Sequence, residues 1–80
     1  MISSKTIGDI VHQLRTRQGL STTQLALKVE VSQAQVSRLE NGQQGFRSDV
    51  IVRFAKALKV PPFRLFMTDE EWGIWETAKK

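Results

Sequence analysis

Ser21-Thr22-Thr23-Gln24-Leu25-Ala26-Leu27-Lys28-Val29-Glu30-Val31-Ser32-Gln33-Ala34-Gln35-Val36-Ser37-Arg38-Leu39-Glu40-Asn41-Gly42 is the stretch on which the reading of this chain turns. It holds Ser-x-x-Gln twice, at Ser21–Gln24 and at Ser32–Gln35. In each, the serine hydroxyl can accept an orphan backbone N–H while the glutamine reaches back, which is how a short helix is started. Glu30-Val31 reads as the turn between the two helices, and Asn41-Gly42 ends the second. Leu25, Ala26, Val29, Val31, Val36 and Leu39 face inward if the two helices cross steeply. Ala26 is the small residue such a crossing needs, because a longer side chain would hold the helices apart.

Outward from this stretch the period remains helical. Ile7, Ile10, Val11 and Leu14 fall at i, i+3, i+4 and i+7, the stripe of an amphipathic helix. Thr6 is the expected cap, Asp9 suits the positive end of the helix dipole, and Gly19 suits the stop. Downstream, Gln43-Gln44-Gly45-Phe46 reads as a loop. A fourth helix begins at Ser48-Asp49, with Val50, Ile51, Phe54, Ala55 and Leu58 at core spacing. Val60-Pro61-Pro62 stops it, since proline neither donates the next hydrogen bond nor lets its predecessor stay helical. Pro62 can itself open a short fifth helix, which Phe63, Leu65, Phe66 and Met67 fasten to the body. Thr68-Asp69-Glu70-Glu71 is a third capping box, leading into Trp72, Ile74 and Trp75, and Gly73 weakens that last helix by ~1 kcal/mol relative to alanine. The expectation is a compact all-α domain of five helices with a short additional one at the C-terminus.

The 80 residues allow one domain. There is no cysteine, so disulfides and thiolate metal sites are excluded. No apolar run approaches the ~18–20 residues of a membrane span, and Met1-Ile2-Ser3-Ser4-Lys5 lacks the apolar core of a signal peptide, so a cytoplasmic protein is expected. Lys and Arg number 12 against 8 Asp and Glu, a net charge of +4. The excess is uneven: residues 1–66 are strongly basic, whereas Asp69, Glu70, Glu71 and Glu76 make the tail acidic. The body is therefore the part that would meet a polyanion.

At this point a resemblance becomes visible. The run from Ser21 to Ala26, and above all that from Val31 to Gly42, resembles the helix-turn-helix of the Xre family, the phage-repressor and Cro type. Cap, buried branched residue, Ser-Arg and Glu-Asn-Gly stand together there. The likeness spans about residues 6–67, so residues 1–67 are read as the DNA-binding domain, with a recognition helix at about 32–41. Residues 68–80 are read as a tail for dimer or partner contact. One departure is Glu30, where the family usually has glycine in a left-handed turn, at a cost of roughly 1 kcal/mol.

The resemblance implies that the second helix lies in the major groove of double-stranded DNA with its first turns on base edges. Gln33, Ala34, Ser37 and Arg38 are then the base contacts. Glutamine can pair bidentately with adenine and arginine with guanine, and the Ala34 methyl can meet a thymine methyl. Ser21, Thr22, Gln35, Asn41, Gln43, Gln44 and Arg47 are the expected phosphate contacts, Ser21 and Thr22 because a helix N-terminus presents free N–H groups to an anion. Lys28, Arg15 and Arg17 are further cations, contacts or solvated faces. Glu40 would repel DNA and is assigned a structural role, orienting an arginine or closing the third helix.

Catalysis finds no support. His12 is the lone histidine, read as a solvated helix residue, and neither a metal-ligand set nor a nucleophile with its base appears. No cofactor is implied. Trp72 and Trp75 lie on one helical face, with Phe63 and Phe66 upstream; each tryptophan has ~150–250 Å² to bury. They either fold back on the body or form a dimer or partner interface. A single recognition helix reads few base pairs, so a homodimer on a near-palindromic operator is expected. Repression follows from family habit. The alternative is an antitoxin that binds both DNA and a toxin partner.

Overall fold

The architecture was analysed in a computed structural model, which describes residues 4–78. Helix α1 (Ser4–Arg17) places Ile7, Ile10, Val11 and Leu14 in the core. Thr6 lies inside α1 and is not its cap, because the helix already runs from Ser4. Helix α2 (Thr22–Val29) starts at the Ser21 box, both halves of which are made. Helix α3 (Gln33–Glu40) starts at Ser32, whose hydroxyl accepts the Gln35 N–H at 3.1 Å. Only that half of the second box forms among the described residues, which leaves the Gln35 side chain out of the cap. Helix α4 (Ser48–Ala57) follows the loop, and Pro62–Phe66 forms a 3-10 helix with proline in its first turn. Helix α5 (Asp69–Ala78) follows Thr68, whose box with Glu71 is complete.

Each of the first four helices ends the same way. A left-handed residue (Gly19, Glu30, Gly42, Lys59) reverses the chain, with φ of 70°, 67°, 73° and 61°. The next N–H then bonds back to a carbonyl of the last turn: Leu20 to Arg15, Val31 to Ala26, Gln43 to Arg38, Val60 to Ala55. Two of these positions are glycine, where the conformation is free; Glu30 and Lys59 adopt it at a cost that the packing on either side offsets. The departure at Glu30 thus leaves the helix-turn-helix crossing intact.

One core joins the helices. Leu25, Val36, Phe54, Leu58 and Leu65 are fully buried, and Ala26, 4% exposed, lies among them, a small residue where α2 packs on α3. Phe46 from the loop meets Phe54 edge-on with ring centres 5.5 Å apart. Gln18 Nε2 donates to the Leu58 carbonyl at 2.7 Å, tying the end of α1 to the end of α4.

Gly8 sets the distance between α1 and α3. A Cβ there would stand 2.4 Å from the Leu39 carbonyl oxygen and 2.7 Å from that of Glu40. Both are backbone atoms that cannot swing aside, so the last turn of α3 rests directly on the α1 backbone.

Candidate nucleic-acid interface

At about 100° per residue, Gln33, Ala34, Ser37 and Arg38 fall within an arc of about 140° on α3. Val36, Leu39 and Glu40 occupy the opposite, buried side. Gln33, Ala34 and Arg38 are exposed and Ser37 is half-buried, so the four expected base contacts share one outward face. Gln35 sits at the margin, half-buried beside Leu39. The core contacts of Val36 and Leu39 are what hold this face in register.

Two of the flanking residues, Thr22 and Gln44, are bonded to this face. Gln33 Nε2 donates to Thr22 Oγ1 at 3.0 Å, so the first turn of α3 is tied to the first turn of α2. Ser21 Oγ accepts the Gln24 N–H, while the N–H groups of Thr22 and Thr23 carry no bond to the described residues. Beyond the other end of α3, Arg38 Nε donates to Gln44 Oε1 at 3.4 Å, a long bond that a better acceptor could replace. Asn41 and Gln43 are exposed. Arg47 is also exposed and stands 3.6 Å from Asp49, a loose surface pair.

Glu40 is the acid in α3, and its carboxylate points away from the outward face. Arg15 Nε donates to Oε2 at 2.7 Å and Arg15 Nη2 to Oε1 at 3.0 Å, while Arg15 Nη1 donates to the Leu20 carbonyl at 2.8 Å. His12 Nδ1 lies 3.0 Å from Oε1. Glu40 and Arg15 are 7% and 9% exposed, a buried fork between α1 and α3. The structural role expected for Glu40 is what the structure has, but its arginine lies 25 residues away. Arg15 is corrected from a surface cation to a core one. His12 is likewise more than a solvated residue, being held at the edge of this fork. A signal for Arg15 exists in the sequence: it continues the i, i+4 row of Ile7 and Val11, which is otherwise core.

Two more cations are spent internally. Arg17 forms a fork with Asp69, Nη1 donating to Oδ1 at 2.9 Å and Nη2 bonding Oδ2. Arg64, 4% exposed, donates to the Met67 carbonyl at 2.7 Å and to Asp69 Oδ1 at 2.8 Å, and its guanidinium lies 5.4 Å from the centre of the Trp72 ring. Hydrogen bonding from Arg17, ahead of that from Arg64, lowers the Asp69 pKa to about 2. Glu71 is lowered as well, by the Thr68 backbone N–H and hydroxyl of its box. Among the described residues Arg38 is thus the one charged side chain on the outward face of α3.

The tail is covered mainly by itself. Trp72 and Trp75 stack with ring centres 5.2 Å apart, and Phe63 lies 5.9 Å from the first and 5.0 Å from the second. Both tryptophans are half-buried, while Phe66 and Ile74 are 37% and 63% exposed. Three of the four expected interface residues, Phe63, Trp72 and Trp75, are therefore together and Phe66 stands apart. Leu65, fully buried, provides the grip of the 3-10 helix that Phe63 and Phe66 were expected to share. Among the described residues no helix is long and apolar enough to cross a membrane, and no three His, Cys, Asp or Glu side chains gather as a metal site would need.

This arrangement has close counterparts. The model of a helix-turn-helix domain family matches residues 6–65. The chain is 38% identical over 64 residues to the competence pilus inhibition repressor of Acinetobacter baylyi, covering 80% of this chain and 58% of that protein. It therefore spans less than two thirds of the relative's length. Among solved structures it is similar to the restriction-modification controller protein C.AhdI of Aeromonas hydrophila, with a TM-score of 0.77, 32% identity, and coverage of 79% of this chain and 96% of that one. It is also similar to the biofilm master regulator SinR in complex with DNA, with a TM-score of 0.70, 27% identity, and coverage of 76% and 98%. Sequence, fold and the outward face of α3 agree: the chain belongs to the helix-turn-helix domain family, in its phage-repressor or Xre branch, and carries the DNA-binding motif of transcriptional regulators.

Proposed function

We propose that this chain is a sequence-specific DNA-binding repressor that acts as a homodimer on a near-palindromic operator. The observation that carries the reading is the outward face of α3, where Gln33, Ala34, Ser37 and Arg38 stand together with no acid among them. Gln33 and Arg38 supply the bidentate groups that discriminate adenine and guanine, each pairing worth ~1–3 kcal/mol. The Thr22 and Thr23 N–H groups, the Ser21 hydroxyl, Asn41, Gln43, Gln44 and Arg47 flank this face and hold phosphates, with Gln35 at its edge. Gln33 and Thr22 are already bonded to one another, which pre-orders the reading turn against the anchoring turn. The repressor name of the 38% identical relative supports the sign of regulation.

Dimerisation is assigned to the tail together with the 3-10 helix before it, where exposed Ile74 and Phe66 leave apolar surface beside the Phe63–Trp72–Trp75 cluster. The test is selection from a random duplex library with the whole chain. Enrichment of an inverted repeat is expected, with its half-sites about one helical turn apart. Gln33→Ala with Arg38→Ala should lower affinity for the selected site at least tenfold while non-specific binding persists. Unaltered selectivity in that double variant would mean that α3 is not the reader.

A further inference from the structure

A second charged surface lies away from the reading face. Lys28, Val29 and Glu30 at the end of α2 and Arg53, Lys56 and Ala57 in α4 line a groove of about 380 Å³. Its floor is apolar, Val29 being 1% exposed and Ala57 half-buried. Lys28, Arg53 and Lys56 are exposed and make no ion pair among the described residues. Three cations thus line one groove without an ion pair of their own; the acids nearest to them are Glu30 at the rim and Asp49, one turn before Arg53 and paired loosely with Arg47. The three cations contrast with Arg15, Arg17 and Arg64, each of which has a carboxylate.

The groove is turned from the DNA-reading side. Lys28 follows Thr22 by six residues, about 120° around α2 from it. Lys56 is about 12 Å along α4 from Ser48, at the far end from the Arg47 anchor. Two exposed apolar side chains neighbour the cations along their helices, outside the lining of the groove itself: Leu27, 77% exposed, precedes Lys28, and Val52, 52% exposed, lies one turn before Lys56 on its face. A phosphate backbone offers nothing to Leu27 or Val52, and Glu30 would repel it. An acidic protein segment with interspersed apolar residues matches every part of this surface: carboxylates to the three cations, a donor to Glu30, apolar side chains to Leu27 and Val52. The chain's own acids match it poorly: Glu40, Asp69 and Glu71 are already engaged, Asp49 pairs loosely with Arg47 at the start of α4, Asp9 is a single acid in α1, and Glu70 and Glu76 lie six residues apart.

We infer that the α2–α4 groove is a docking site for an acidic, partly apolar segment of a partner protein, separate from the DNA face and open while DNA is bound. The probe is a fluorescein-labelled 15-residue peptide of Glu and Asp interleaved with Leu and Phe, with a Gln/Asn counterpart as its control. Anisotropy with the whole chain is expected to show binding of the acidic peptide alone, undisplaced by saturating duplex DNA. Lys28→Gln/Arg53→Gln/Lys56→Gln should weaken it at least tenfold, and Leu27→Ser/Val52→Ser at least threefold. Circular dichroism should be unchanged in both variants, and duplex affinity within threefold of the parent. Three results would overturn the inference. One is undiminished peptide binding in the triple variant. Another is a tenfold loss of duplex affinity there, which would make the groove a phosphate contact. The third is a fall in sedimentation coefficient of the peptide-free triple variant, which would make it a contact between copies.

Discussion

Helix α1 is clamped twice by an arginine–carboxylate fork, and the two forks differ in their surroundings. At one seam Arg15 holds Glu40 of α3, both side chains buried over a backbone contact that Gly8 permits. At the other, Arg17 holds Asp69 of α5, with side chains 55% and 45% exposed. The chemistry of the pairs is alike; the dielectric around them is not. A buried fork cannot exchange its partner for water, so it fixes where the C-terminal end of α3 lies. An exposed fork can make that exchange cheaply, so it only biases the tail. The half of the molecule that carries the outward face of α3 is therefore rigidly tied to α1, whereas α5, which has no buried residue, is attached by a charge clamp and a ring cluster.

Breaking the buried fork should have the largest effect. Glu40→Ala leaves the Arg15 guanidinium buried without its carboxylate, and a loss of about 3 kcal/mol is expected in urea unfolding. A loss near zero would mean that Arg15 reaches water and the seam is softer than its burial implies. Gly8→Ala tests the same seam without touching a charge. Alanine gains ~1 kcal/mol of helix propensity over glycine, but its Cβ would enter the Leu39 and Glu40 carbonyls. The clash should win, for a net loss of about 2 kcal/mol and, if α3 binds DNA as proposed, weaker duplex binding as α3 is displaced. A neutral or stabilising result would show that the two helices separate freely.

The smallest effect belongs to the exposed fork and is read through pH. Asp69 has its pKa lowered to about 2 by Arg17 and then Arg64. A lowered carboxyl pKa contributes stability above the unfolded value, which is lost as pH falls through the folded one. The clamp should therefore hold at neutral pH and release between about pH 4 and pH 2. Fluorescence of Trp72 and Trp75 should shift over that interval, and Asp69→Asn should show the shifted spectrum already at pH 7. Glu40→Ala and Asp69→Asn together separate fold from tail. Affinity for duplex DNA is expected to follow the first, and tail fluorescence the second.

Neither seam could be read from the residues, although the helices that they join could. The caps at Ser21, Ser32 and Thr68, the stops at Gly19 and Gly42 and the stripes of α1 and α4 are local features, set by neighbours three or four positions away. They place every helix to within a few residues. The outward set on α3 was legible for the same reason, since a helix with Val36 and Leu39 buried must present Gln33, Ala34, Ser37 and Arg38 together. Arg15 and Arg64 were not read as buried. Periodicity treats an arginine as surface unless its counter-charge is known, and here the counter-charges are 25 and 5 residues away. Gly8 carried no signal for a close approach, because the carbonyls it accommodates belong to another helix. The free cations of the α2–α4 groove are a residue of the same accounting, visible only once the paired ones are subtracted.

By itself the sequence determined that this chain is helical, where its helices start and stop to within a few residues, and which side of the second motif helix faces outward, all of which follow from short-range hydrogen bonding and a 3.6-residue period. Tertiary structure alone decided which charges are spent inside and which remain for partners. Pairing depends on the distance between helices, and that distance is set by packing at Gly8 and Ala26 rather than by any local pattern.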